Sequence, residues 1–161
     1  MSRPVTRLRE ALGSEWLVTR AQIALGLLFV VAALPKLADP PSFAHMIYNY
    51  RILPGPLVNL AALAMPWAEL LMGIALICGI WRRTAALLVG ALLVVFILAI
   101  SWNLLRGNAI DCGCFDVADA GKSVEERLSD MWMVIVRDVG MLLLVAQGLL
   151  GARRVEESAA G

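Results

Sequence analysis
Apolar positions gather into four long runs, and most charged residues fall between or beyond them. The first run covers about residues 16–37, with Arg20 and Gln22 near its start. The second covers about 57–80 and encloses Pro66 and Glu69. The third covers about 84–104, and the fourth about 131–150, with Arg137 and Asp138 in its first turns. A helix rising about 1.5 Å per residue needs roughly 20 apolar residues to cross the hydrocarbon of a bilayer. Each run meets that length, so the pattern predicts four transmembrane helices. The first run follows a basic lead with Arg3, Arg7 and Arg9, as a signal peptide would. A signal core is only about 7–15 residues long, so the length favours a span.

Composition agrees with the pattern. The chain has 161 residues, is 60% hydrophobic and carries a net charge of +1. Its mean hydropathy is +0.78. Soluble domains are about 45–50% apolar, and a core this small cannot hide the excess from water. The excess belongs against lipid, the expected partner of the spans. The near-zero net charge, without a basic cluster, gives no case for nucleic acid. Three cysteines are too few for a disulfide-stapled scaffold.

The expected fold is all-α: one membrane domain, residues 1–161, built as a four-helix up-down bundle. The connections are residues 38–56, a tight turn at Arg82–Arg83, and residues 105–130. Short connections favour antiparallel neighbours. Gly26, Ala32, Gly73, Gly90 and Gly140 supply small surfaces through which membrane helices approach closely. The tail from Arg153 to Gly161 is polar and expected to fray.

Orientation follows from the basic residues. With both termini cytoplasmic, that side carries Arg3, Arg7, Arg9, Arg20, Arg82, Arg83, Arg153 and Arg154. The opposite side carries Lys36, Arg51, Arg106, Lys122, Arg127 and Arg137. The bias favours both termini inside and both long loops outside. The expected setting is a bacterial inner membrane, with residues 38–56 and 105–130 extracytoplasmic.

The second outer loop holds the most reactive chemistry, Asp111-Cys112-Gly113-Cys114-Phe115-Asp116. Thiols on that side of a membrane are readily oxidised. Two Cα atoms at i and i+2 lie about 5.5–7 Å apart, at the edge of disulfide geometry. Gly113 gives the backbone the freedom such a ring needs. The bridge would close almost no loop and stabilise little, so it suits exchange better than stapling. Asp111 and Asp116 raise the thiol pKa and slow attack unless a cation offsets them, and Arg106 is the nearest in sequence. A soft-metal site and a purely structural bridge stay open as alternatives. Two thiolates fill only half of a tetrahedral site, so no metal ligand set is assigned. Cys78 lies at the other end of the second run, where a small packing residue is expected.

Glu69 lies about twelve residues into its run, near the bilayer midplane. An ionisable group there needs a partner or a polar cavity. Arg137 is the expected partner if Glu69 is charged; an unpaired Glu69 would be protonated and able to relay protons. The alternative is a polar clasp holding the bundle. Lys36 and Asp138 complete the set of supporting polar residues. In the first outer loop Phe43, Ile47 and Tyr50 recur at i, i+4 and i+7, which predicts a short interfacial helix roofing the bundle. His45, the single histidine, is expected to be solvated. Trp102, Trp132, Tyr48 and Tyr50 form an expected aromatic belt.

Four segments carry a family resemblance. They are Leu34-Pro35-Lys36-Leu37, Met65-Pro66-Trp67-Ala68-Glu69-Leu70, Gly107 followed by Asp111-Cys112-Gly113-Cys114-Phe115, and Arg137-Asp138. Over about residues 17–150 the sequence resembles the methylamine utilisation protein MauE family, within the DoxX-like membrane superfamily. Family loops commonly have glycine after the phenylalanine, where this chain has Asp116. The resemblance implies a four-helix membrane bundle and a part in maturing periplasmic proteins. The leading expectation is a thiol–disulfide protein in which Cys112 and Cys114 are catalytic. They would exchange with a periplasmic thioredoxin-like partner or a client, and electrons would pass to a quinone. Two alternatives remain: a non-enzymatic accessory subunit of a larger membrane complex, and metal handling.

Overall fold
The computed structural model describes residues 15–108 and 123–159. The dithiol of Cys112 and Cys114, with Asp111 and Asp116 beside it, and the basic lead with Arg3, Arg7 and Arg9 lie outside the described residues. Five helices follow in order: α1 (Glu15–Ala38), α2 (Pro40–Asn49), α3 (Gly55–Cys78), α4 (Arg82–Leu105) and α5 (Val124–Ala159). Four segments are long and apolar enough to cross a membrane: Trp16–Ala38, Gly55–Cys78, Arg82–Leu105 and Val124–Leu150. No strand occurs among the described residues.

The long helices form a ring. α1 packs mainly on α3 and α4 mainly on α5, while α1–α5 and α3–α4 contacts close the circuit. Neighbours in sequence are thus neighbours in space, the up-down arrangement expected from short connections. The core runs along the axis through Leu25, Phe29, Met72, Leu76, Val89, Leu93 and Met141. Large apolar residues also cover the outside, among them Leu60, Leu71, Leu98 and Leu143, each more than half exposed. Such a surface is stable only against lipid.

α1 and α3 approach one another closely. A β-carbon at Gly26 would lie 2.6 Å from the Gly73 carbonyl oxygen, and one at Gly73 would lie 2.8 Å from the Gly26 oxygen. Only two glycines allow that approach, which takes the role that water exclusion has in soluble bundles. Gly90 meets Val145 of α5. Gly140 differs from the expectation: no neighbour lies within 4 Å of its β-position, because it faces outward.

Helix ends follow local chemistry. Asp39 caps α2: its Oδ1 accepts from the Ser42 N–H at 3.2 Å and its Oδ2 accepts from the Ser42 hydroxyl at 2.6 Å. Pro40 and Pro41 occupy the first turn, where a missing N–H costs nothing. α3 ends at Gly79, whose φ of 73° is the left-handed conformation that glycine tolerates, and its N–H reaches the Ala75 carbonyl. The tight turn is therefore Gly79–Trp81. Arg82 and Arg83 belong to the first turn of α4, and Arg82 Nη1 donates to Thr19 Oγ1 at 3.4 Å.

Both ends of α5 differ from the sequence reading. α5 begins at Val124, seven residues before the expected 131. Ser123 and Glu126 explain the early start: the Glu126 carboxylate accepts from the Ser123 N–H at 2.8 Å, and the Ser123 hydroxyl accepts from the Glu126 N–H at 3.3 Å. This reciprocal capping box nucleates a helix on a polar segment. Arg137 and Asp138 consequently lie near the middle of a span and not in its first turns. At the other end α5 continues through the polar tail to Ala159. Cys78 is exposed on α3, outside the packed stripe of Met72, Gly73 and Leu76, so the expected packing role does not hold.

Candidate functional site
Four charged residues meet inside the bundle. Lys36 is 2% exposed, Glu69 2% and Asp138 1%, while Arg137 is half-buried. The Lys36 ammonium donates to both oxygens of Glu69, at 2.8 Å to Oε1 and 2.7 Å to Oε2. Arg137 donates twice to Asp138 Oδ1, from Nε at 3.0 Å and from Nη2 at 2.8 Å. Lys36, and not the expected Arg137, supplies these hydrogen bonds to Glu69.

The exchange of partners has a geometric cause. The Gly26–Gly73 contact brings α1 and α3 together along antiparallel axes. Lys36 then lies a few turns up α1 from that contact, and Glu69 one turn up α3. Side chains lean toward the N-terminus of their own helix, so Lys36 reaches inward to Glu69. Pro66, buried one turn before Glu69, removes a backbone donor and loosens the helix beside it. Arg137 meanwhile closes on its own neighbour in sequence.

Aromatic rings cover the lysine. Its Nζ lies 5.3 Å from the Phe43 ring centre and 5.4 Å from that of Phe96. Both distances fall within cation–π range. Phe43 comes from α2, which buries Phe43 and Met46 against the bundle. Ile47 and Tyr50 are only half-buried, so the buried stripe shifts from the expected residues toward Met46. The roof itself forms as expected, and His45 is exposed on it, 3.4 Å from the Asn49 amide.

A cavity of about 30 Å³ lies beside the ion pairs. Lys36, Glu69, Arg137 and Asp138 line it together with Phe29, Leu93, Phe96 and Met141. Asp138 Oδ2 is buried and has no hydrogen-bond partner among the described residues. The second oxygen of Asp138 is therefore an open acceptor within a charged chamber.

Sequence reasoning missed several contributors. Asn103 is fully buried, and its amide donates to the Tyr50 carbonyl at 3.3 Å and the Ala99 carbonyl at 3.1 Å. It ties the end of α4 to the segment after α2. Its signal was a lone amide beside Trp102 in an apolar run. Phe96 and Phe43 gave no signal, since phenylalanine in a span reads as ordinary packing. Trp102, Trp132 and Tyr48 are each more than half exposed, as a belt requires, whereas Tyr50 packs against Ile100 and Met131.

Comparisons with known proteins bear on the same residues. The family described as "Methylamine utilisation protein MauE" matches residues 14–151. The methylamine utilization protein MauE of Paracoccus denitrificans is 35% identical over 135 residues, covering 81% of this chain and 69% of that protein. The Methylorubrum extorquens protein of the same name is 38% identical over 124 residues, covering 76% and 62%. That of Methylophilus methylotrophus is 41% identical over 95 residues, covering 58% and 50%. The matched part of the chain thus spans between half and about two thirds of these relatives' lengths. No solved structure matches the chain significantly. The match runs from the start of α1 to residue 151 within α5, with Lys36, Glu69, Arg137 and Asp138 inside it, and the chain belongs to the methylamine utilisation protein MauE family.

Proposed function
We propose that this protein is a membrane thiol–disulfide exchange protein that assists the maturation of extracytoplasmic proteins, within methylamine utilisation or a related system. The observation that carries the proposal is the Cys112-Gly113-Cys114 dithiol in the connection between α4 and α5. Family membership and topology support it. α4 ends and α5 begins at the end of the bundle that holds α2, the side read as extracytoplasmic from the basic-residue bias.

The exchange has two steps. A client or thioredoxin-like thiolate attacks one sulfur of the Cys112–Cys114 disulfide and forms a mixed disulfide. The partner's second thiolate then attacks that bridge, leaving the partner oxidised and both Cys112 and Cys114 reduced. Two electrons enter the pair, and two protons complete the thiols. A quinone, as the electron acceptor, would take up both electrons and both protons and so restore the disulfide. The cavity of about 30 Å³ beside the ion pairs is far below the roughly 150 Å³ that holds a single benzene ring, so it would not take the quinone. In this reading Lys36, Glu69, Arg137 and Asp138 are supporting residues that hold the helices on which the loop is mounted.

A trapping experiment tests the proposal. Cys114→Ser leaves Cys112 a lone thiol that cannot close its own disulfide; its thiolate is expected to attack the disulfide of an oxidised partner and, with no Cys114 to displace that partner, to hold it in a mixed disulfide that reductant releases. Full client maturation by a Cys112→Ser/Cys114→Ser double variant would overturn it. If that double variant also co-purified with one large membrane complex, it would favour the accessory-subunit reading.

A further inference from the structure
The chamber between the two ion pairs is built in a way that defines its occupant. Lys36 and Glu69 cancel one another, and so do Arg137 and Asp138. With zero net charge, the chamber offers an inorganic ion no net attraction. It does offer an acceptor, because Asp138 Oδ2 is buried and unpaired among the described residues. A buried carboxylate oxygen without a donor is costly, so the fitting occupant is a neutral hydrogen-bond donor.

Size narrows the choice. One water needs at least about 10–15 Å³ of such space and two to four polar partners. The cavity of about 30 Å³ has room for about two waters, and four charged side chains line it. A methyl-bearing or aromatic donor would be larger than this space.

We propose that this chamber is a hydrated site, holding about two waters that donate to Asp138 Oδ2 and link the Arg137–Asp138 pair to the Lys36–Glu69 pair. The waters bring the two ion pairs, one from α1 and α3 and one from α5, into a single hydrogen-bonded network across the bundle. The site is independent of the cysteine loop and holds whether or not Cys112 and Cys114 exchange disulfides.

Radiolytic hydroxyl-radical labelling in H₂¹⁸O tests the site, using the full-length protein in lipid nanodiscs. Radicals formed from bound water oxidise the side chains beside it. Met141 lines the cavity; Met72 sits in the same core but does not line it. Met141 is 6% exposed and Met72 8%, so leakage from the surface would favour Met72. The hydrated site predicts several-fold more ¹⁸O at Met141 than at Met72. Equal or lower labelling at Met141 overturns it. Ala32→Leu, which fills the cavity while leaving every charged residue in the sequence, is expected to bring Met141 down to the level of Met72. Persistent labelling of Met141 in a folded Ala32→Leu variant also overturns the proposal.

Discussion
Lys36 and Glu69 form a two-pronged ion pair across the α1–α3 interface, at 2.8 and 2.7 Å and almost wholly out of solvent. Removing one partner leaves the other buried and unmatched, a loss of about 3–5 kcal/mol for buried pairs. Lys36→Met and Glu69→Gln should each lower the thermal unfolding midpoint in detergent strongly. The double variant Lys36→Met/Glu69→Gln should be far more stable than the sum of the two single losses predicts. Additive losses would show that the pair is not a coupled unit.

The α1–α3 crossing gives a second prediction. Gly26→Ala places a methyl group 2.6 Å from a backbone oxygen that cannot swing aside, so it should cost about 1–3 kcal/mol. Gly140→Ala meets nothing within 4 Å and should be neutral or stabilising by up to about 1 kcal/mol from helix propensity. Because Gly26 and Gly73 set the position of Lys36 against Glu69, Gly26→Ala should also weaken the coupling between that pair. Unfolding of the single variants and of each combined with Lys36→Met measures both effects.

The cap of α2 is acid-sensitive. Hydrogen bonds from the Ser42 hydroxyl, and then its N–H, hold the Asp39 carboxyl below its ordinary value of 3.8. A carboxyl with a lowered folded pKa contributes stability that is complete above the unfolded value and disappears as pH falls through the folded one. The stability difference between wild type and Asp39→Asn should therefore be constant above about pH 5 and shrink modestly below about pH 4. Unfolding midpoints of both proteins from pH 7 to pH 3 check this.

Much of the architecture was legible because lipid makes a simple demand. A span must be long, apolar and helical, so α1, α3 and α4 follow from the runs within a residue or two at most ends. The start of α5 was not legible from hydropathy, since a Ser123–Glu126 capping box extends the helix over polar residues. That shift hid the midspan location of Arg137 and Asp138. The members of the polar cluster were readable as charges in apolar runs, but their pairing was not. Pairing depends on the register set by Gly26 against Gly73, and a single sequence does not reveal which small residues touch.

The cysteines divide by position. Cys78 is exposed at the opposite end of the bundle from α2. Cys78→Ala should leave stability within about 0.5 kcal/mol and client maturation unchanged. Cys112→Ser alone should abolish maturation while leaving the thermal midpoint nearly unaltered, because a bridge across one residue closes almost no loop.

The most direct test is the redox state of Cys112 and Cys114 in native membranes, read by a thiol-alkylation gel shift in a Cys78→Ala background. The account predicts that both are protected as a disulfide at rest. Brief dithiol treatment should expose two thiols, and addition of an oxidised quinone should return them to the protected form. Two freely alkylated thiols at rest, unchanged by quinone, would contradict it.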